Sequence, residues 1–148
     1  MRAKTPILGL VSVISILIML AGCKVAELKK PEVSVIGSRF VSVSLAQGRL
    51  DNKLRITNPN VFKLPVKAIH YTLLLNDREF VSGQTDRSLN VAAGGTQQVQ
   101  LPLMIQYEKL LKGLGSVFQN KTIRFQLRGE IDFGLVRVPF SKTGDFSI

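Results

Sequence analysis

The side chains that could support catalysis are few and dispersed along this chain. The only histidine, His70, alternates with Ile69 and Tyr71, so it is predicted to lie on the polar face of a strand. With no cysteine and no carboxylate nearby, one imidazole makes neither a zinc site nor a nucleophilic triad. The pair Gly94-Gly95 lacks the lysine and hydroxyl residue of a phosphate-binding loop. A surface histidine is the expected interpretation.

Two groups of carboxylates invite comparison with a metal site or a glycosidase. Asp77, Glu79 and Asp86 are expected to cluster around a predicted hairpin turn, and Glu130 with Asp132 leads into a second turn. Solvation of turns and loops explains both groups equally well, and glycosidase pairs need defined separations between their carboxyl groups. We therefore predict no catalytic residue, no metal ion and no enzyme activity.

The only cysteine, Cys23, stands in an informative position. A basic start is followed by a largely apolar run over residues 7–20, and then by Leu20-Ala21-Gly22-Cys23. Such an order is typical of a cleaved export signal. It resembles the bacterial lipoprotein signal, in which the cysteine sulfur is diacylated and the chain is cut before that cysteine. The resemblance implies a signal peptide at 1–22, lipid on Cys23 as the sole covalent group, and no further cofactor.

Two alternatives to this signal are weaker. As an uncleaved anchor, the apolar run over 6–22 is slightly shorter than the ~20 residues of a spanning helix. A buried thiol would have no reason to follow Leu-Ala-Gly. In a cell with two membranes, an aspartate directly after the lipidated cysteine usually marks retention at the inner membrane. Lys24 stands in that position here, and the resemblance therefore implies the outer membrane, with the domain facing the periplasm. Residues 23–30 are then a lipidated tether of under about 30 Å, and 31–148 form one domain.

The chain is basic throughout, with 20 Lys and Arg against 10 Asp and Glu. Removal of Arg2 and Lys4 with the signal leaves 18 against 10, a net charge of +8. An exported protein does not meet nucleic acid, so anionic lipid headgroups or envelope proteins are the available partners. Dispersal along the sequence favours a solvated surface over a binding patch. The dispersed cations are Lys53, Arg55, Lys63, Lys67, Arg78, Arg124, Arg128 and Arg137.

Alternation of apolar and polar residues predicts about seven strands. The first runs from Val33 through Val43 and Leu45, with a bend or bulge at Gly37-Ser38, and turns at Gln47-Gly48. The other predicted strands cover 50–57, 69–75, 78–82, 99–105, 123–133 and 136–140.

Local residue types specify several connections. Asn76-Asp77 tolerates the positive φ of a tight hairpin between 69–75 and 78–82. Pro102 has no N–H to donate, so its strand is expected at a sheet edge or at a bulge. Leucines and Phe118 recur at helical spacing over 107–118 and predict one amphipathic helix. The expected fold is all-β: an antiparallel sandwich of about seven strands with one short helix.

The stretch around Asn58-Pro59-Asn60 ends one strand and precedes the hairpin, and it resembles a known family. The segments that carry the resemblance are 56–60, 69–75, 78–83, 91–95, 99–103 and 129–140. In this order they are similar to the late embryogenesis abundant type 2 proteins, which overlap with the water stress and hypersensitive response (WHy) domain. The resemblance implies a fold of seven strands like fibronectin type III, over roughly 31–148. Asn58 and Asn60 are expected to bond to nearby backbone and fix a turn, with Pro59 ending the strand.

The resemblance implies protection under desiccation or related stress. A basic domain close to its membrane and without a catalytic set suggests weak contacts with proteins or membrane as the mechanism. A specific binding module is the competing expectation. An edge strand, such as the one that carries Pro102, could accept a partner strand. Alternatively, a slot lined by Leu110, Leu114 and Phe118 could hold an apolar ligand.

Overall fold

The structure, a computed structural model, describes residues 27–86, 88–114 and 122–147. Within these ranges it contains nine strands and one helix, an all-β fold as predicted. They are β1 (Glu32–Ser42), β2 (Gln47–Thr57), β3 (Leu64–Val66), β4 (Ala68–Leu75), β5 (Arg78–Thr85), β6 (Leu89–Val91), β7 (Thr96–Gln106), α1 (Tyr107–Leu114), β8 (Thr122–Asp132) and β9 (Arg137–Ser147). The two strands beyond the predicted seven, β3 and β6, have three residues each.

The strands form three antiparallel sheets. The order is β1-β2-β7 in one and β5-β4-β8-β9 in another, while β3 and β6 pair alone. The two larger sheets face each other as a sandwich, because alternate residues of their strands are buried and the intervening ones are exposed. The predicted antiparallel sandwich is confirmed.

The core comes from the inward-facing positions of both larger sheets, together with β3, β6 and the helix. Every buried hydrophobic residue described lies between Leu50 and Phe146. A chain that starts at residue 24 therefore retains all the described strands and the whole described core. The largest fully buried side chains are Phe133, Leu50, Leu54, Ile56, Leu64, Ile69, Leu73, Leu75, Leu101, Ile105, Leu110 and Leu127.

The predicted turn between the first two strands was wrong in position. β1 ends at Ser42, and the amides of Val43 and Ser44 donate to the carbonyl of Gln47 at 3.1 and 3.0 Å. Leu45 continues the apolar alternation in the sequence, yet its side chain is fully exposed in this turn. Local backbone bonding overrides the pattern here.

Gly48 belongs to β2 instead of the turn, and the ring of Phe40 lies where a Cβ of this residue would stand. The ring of Phe40 in turn stacks on that of Phe146, with centroids 4.3 Å apart. This contact joins β1 to β9 and closes one side of the sandwich.

Three other local predictions are confirmed. The pairing of β1 with β2 shifts between Val35 and Gly37, which is the expected bulge. Asn76 and Asp77 have φ values of 46° and 64°, and they connect β4 to β5 as a tight hairpin. β7, which contains Pro102, is an edge strand of its sheet.

Helix α1 begins at Tyr107 as predicted, and the fully buried Leu110 anchors it to the core. The side chains of Leu111 and Leu114 and the whole of Phe118 lie outside the described residues, so the predicted slot falls there too. No helix within the described ranges is long and apolar enough to cross a membrane. The apolar run over 7–20 lies outside those ranges.

Candidate functional site

The most extensively bonded polar group in the described structure is the side chain of Asn58, which is fully buried. Its amide nitrogen donates to the carbonyl oxygens of Phe62, Val91 and Ala92 at 2.8, 3.2 and 3.1 Å. Its side-chain oxygen accepts from both the backbone and the side-chain nitrogen of Asn60, each at 3.0 Å. One asparagine therefore joins the β2–β3 loop to the end of β6.

Asn60 extends these bonds to the segment before β1. Its side-chain oxygen accepts from the Lys29 amide at 2.7 Å, and its side-chain nitrogen donates to the Lys29 carbonyl at 2.9 Å. The backbone carbonyl of Asn60 accepts from Gly94, whose φ of 62° suits a glycine. We call this set, Asn58 and Asn60 with Lys29, the asparagine junction.

The asparagine junction fixes the chain at one end of the sandwich. Asn58 and Asn60 are buried side by side, and Pro59 between them is exposed. Their bonds join three segments about 30 residues apart in sequence: the residues before β1, the β2–β3 loop and the end of β6. Amide side chains neither titrate near neutral pH nor act as nucleophiles. The junction can position the segment before β1, but it supplies no group for acid–base chemistry.

The residues of the predicted lipid signal, Leu20-Ala21-Gly22-Cys23, lie outside the described residues. The described chain resumes at Glu27, two residues before the junction contact at Lys29. Cys23 is thus six residues from a fixed point of the domain. Lipidation of Cys23 stays a prediction.

His70 lies half-buried on the outer face of the four-stranded sheet. The expectation that no carboxylate lies nearby was wrong, because β4 pairs with β8 so that His70 stands opposite Glu130. The carboxylate of Glu130, however, accepts from Arg137 at 3.1 Å. This neighbour could not be predicted from the sequence, because it depends on the register between two strands whose paired residues are 60 positions apart.

The expected cluster of Asp77, Glu79 and Asp86 was also wrong. Asp77 lies in the hairpin turn and Glu79 near the start of β5, whereas Asp86 follows the last residue of β5, Thr85. Over such a strand the separation is roughly 20 Å or more. Among the residues that the structure describes, no three His, Cys, Asp or Glu side chains form a group that could hold a metal ion.

The outer face of the β1-β2-β7 sheet gathers four of the cations. Arg49, Lys53 and Arg55 occupy alternate outward positions of β2, and Arg39 of β1 stands opposite Asp51. Asp51 binds Arg49 through two bonds of 2.6 and 2.9 Å. That hydrogen bond and the charge of Asp51 raise the pKa of Arg49.

The three other cations on this face, Arg39, Lys53 and Arg55, are exposed and form no ion pair within the described residues. Lys53 lies between Gly37 and Gln100 in register, and Arg55 lies between Ser34 and Gln98, so both have neutral neighbours. Arg39 stands opposite Asp51, whose carboxylate is bound by Arg49. We call this outward surface the basic face. The expectation of dispersed cations does not hold for it.

The outer face of the four-stranded sheet is different. There Arg137 contacts Glu130 at 3.1 Å and Asp132 at 3.5 Å, and Arg124 approaches Asp145 at 3.9 Å. Arg124 and Arg137 are matched by carboxylates on this face, and Arg128 is exposed without an ion pair among the described residues, whereas the basic face leaves three of its four cations unpaired. Surface charge is therefore segregated between the two sides of the sandwich.

Sequence reasoning missed one buried polar residue, Asn52. It is fully buried on the inner side of β2, where it accepts from the Ser38 hydroxyl at 2.7 Å and donates to the carbonyls of Leu50 and Leu101. The signal was present, since an asparagine stands between Leu50 and Leu54 on an otherwise apolar face. Its bond to Ser38 holds β1 just beyond its bulge.

Comparison with known proteins identifies the family. A family model described as late embryogenesis abundant protein (LEA_2) matches residues 53–144. The chain belongs to the LEA_2 family. The matched residues include Asn58 and Asn60 of the asparagine junction and the last part of β2, and they end within β9.

Two plant proteins are similar along most of their length. The desiccation protectant protein Lea14 homolog of Glycine max is 28% identical over 125 residues, which cover 84% of this chain and 79% of that protein. The late embryogenesis abundant protein Lea14-A of Gossypium hirsutum is 25% identical over 130 residues, covering 84% and 86%.

Solved structures support the LEA_2 fold. A solution structure from Arabidopsis thaliana superposes with a TM-score of 0.65 at 22% identity, covering 86% of this chain and 87% of that one. A solution structure described as a late embryogenesis abundant protein gives 0.62 at 22% identity, covering 95% and 86%. A crystal structure from Archaeoglobus fulgidus gives 0.57 at 16% identity, covering 82% and 98%.

Proposed function

We propose that this LEA_2 protein is a non-catalytic stress protectant that is tethered to the bacterial envelope by lipid on Cys23. Similarity to desiccation protectant proteins along most of the chain is the observation that carries the proposal. In a cell with two membranes the anchor places it on the outer membrane, facing the periplasm. Partly unfolded envelope proteins and lipid headgroups are its partners.

The geometry supports protection by surface contact. The described interior is filled by side chains from both sheets. Three depressions on the described surface are shallow and open, including one of about 540 Å³ beside His70 and Glu130. Weak contacts made by many exposed polar and charged groups suit a protectant that must release its clients on rehydration.

The asparagine junction supports a tethered arrangement. Its bonds to Lys29 fix the point where the chain leaves the domain toward Cys23. Six residues span at most about 22 Å, so an anchor on Cys23 would hold this end of the sandwich close to the lipid.

A drying assay tests protection. Residues 24–148 are dried together with a labile enzyme, and the recovered activity is compared with that obtained using an unrelated small β-sandwich of equal net charge. We expect clearly higher recovery with this protein. Recovery equal to the control would contradict general protection.

A specific binding module is the second candidate, favoured by the exposed edge strand β7. A partner strand could pair along β7, although Pro102 near its middle has no backbone N–H to donate. Cross-linking in intact cells separates the candidates: a single dominant partner would indicate a module, and many weak ones would indicate a protectant.

A further inference from the structure

We propose that the basic face is a docking surface for anionic lipid headgroups, so that the domain lies on its side against its membrane. The proposal rests on the proposed membrane attachment and deepens it by naming the contacting surface. The observation that carries it is the segregation of charge between the two outer faces of the sandwich.

Two cations at the centre of the basic face, Lys53 and Arg55, are available to bind phosphate groups. Lys53 and Arg55 occupy successive outward positions of the central strand β2, about 7 Å apart along it. Both are exposed, and within the described ranges neither is held by a carboxylate. Neither cation therefore has to leave an ion pair when a headgroup binds, and the Arg49–Asp51 pair on the same surface can stay intact.

The shape of the basic face permits lipid headgroups to approach it closely. The bulge places Gly37 beside Lys53, and nothing lies within 4 Å of where a Cβ of Gly37 would stand. A shallow depression of about 500 Å³ lies here, lined by Arg39, Lys53, Gln98 and Gln100 among others. Asp51 also lines it, and its carboxylate is bound by Arg49. Two cations and two amides can thus contact the same headgroup layer.

The rim of the basic face carries apolar groups. Ile36 and Met104 are 36% and 45% exposed, on the two outer strands of this sheet. Cations in the centre with aliphatic side chains beside them suit the boundary between headgroups and acyl chains.

The asparagine junction, from which the chain leaves the domain toward Cys23, adjoins the basic face. Arg55 lies three residues before Asn58 of the asparagine junction, about 10 Å along the chain, and the junction holds Lys29. An acyl anchor on Cys23 would therefore keep the basic face within reach of the headgroups. The opposite outer face, where most cations are paired, would point away.

Vesicle co-sedimentation of residues 24–148 tests the proposal. The vesicles contain phosphatidylcholine with about 30% phosphatidylglycerol, or phosphatidylcholine alone, at about 10 mM salt where screening is weak. The variant is Lys53→Gln with Arg55→Gln. The matched control is Arg124→Gln with Arg128→Gln, which removes two outward cations of the central strand β8 and so makes the same change in net charge.

Each cation near an anionic surface contributes about fivefold to binding, so we expect the Lys53 and Arg55 pair to lower the partition coefficient by about 30-fold. The Arg124 and Arg128 pair should lower it by less than about threefold. Equal losses in both pairs, or no binding of the parent protein to the anionic vesicles, would overturn the proposal. Binding of soluble polyglutamate as tight as the binding of the anionic vesicles would also overturn the proposal, since it would indicate that the basic face binds acidic polypeptides. Thermal melts confirm that all variants are folded.

The attachment itself is measured separately, by mass spectrometry of Cys23 in the full chain expressed in bacteria. Acylated Cys23 with failed vesicle binding would overturn the docking surface alone. Unmodified Cys23 with face-specific vesicle binding would overturn the anchor alone.

Discussion

Replacement of Asn58 by alanine should be among the most destabilising single changes in the protein. The change removes two N–H donors, which three backbone carbonyls share, and an oxygen that accepts two bonds from Asn60. At a net value of about 1 kcal/mol for each of these four hydrogens the loss is roughly 4 kcal/mol, raised by any carbonyl left unpaired and lowered by water that enters the vacated space. We expect Asn58→Ala to lower the free energy of unfolding by about 3–5 kcal/mol.

Urea denaturation followed by circular dichroism measures this loss, and the thermal midpoint should fall by about 10–20 °C. Asn90→Ala is the matched control, since Asn90 is exposed on β6 beside the same junction. It should change stability by less than about 0.5 kcal/mol. A loss below about 1 kcal/mol for Asn58→Ala would refute the assignment of this end of the sandwich to the asparagine junction.

Asn58→Asp tests the direction of the same bonds. The new carboxyl group would face three carbonyl oxygens in a buried site, which disfavours its charged form and raises its pKa above the usual value of about 3.9. The folded state then binds more protons than the unfolded state, so stability must fall as pH rises from about 4 toward neutrality. Stability of this variant that is independent of pH over that range would contradict the geometry.

Further substitutions test the packing around two glycines and the backbone conformation of one turn. Gly129→Ala should lower stability by about 2–3 kcal/mol in urea denaturation, because its Cβ would overlap the backbone oxygen of His70. Gly37→Ala, with open space around its Cβ, should have an effect of less than about 1 kcal/mol; similar losses for the two glycines would contradict the packing. Asp77→Gly should raise stability by about 0.5–1 kcal/mol, since its φ of 64° favours glycine, and a decrease would refute that turn.

The sequence predicted those parts of the fold that depend on near neighbours. Asn76-Asp77 specifies its hairpin through positive φ, and Pro102 specifies an edge through its missing donor. The same local reasoning misplaced the first turn, because Leu45 continues an apolar alternation that the backbone does not follow.

The candidate sites depend on distant pairing, which alternation alone does not encode. A local turn was predicted for Asn58, but its partners Val91 and Ala92 lie more than 30 residues away. Lys53 and Arg55 visibly share one side of a strand. The register of β1 on β2 is needed to place Arg39 beside them.

Survival of drying in bacterial cells tests the central claim of a lipid-tethered protectant most directly. Cells that express the full chain are dried and rehydrated beside cells with Cys23→Ser and cells without the protein, at matched protein levels. We predict the highest recovery of viable cells with the full chain, and a clear loss with Cys23→Ser. Equal recovery with and without the full chain would contradict protection, and equal recovery of the Cys23→Ser cells would contradict the need for the anchor.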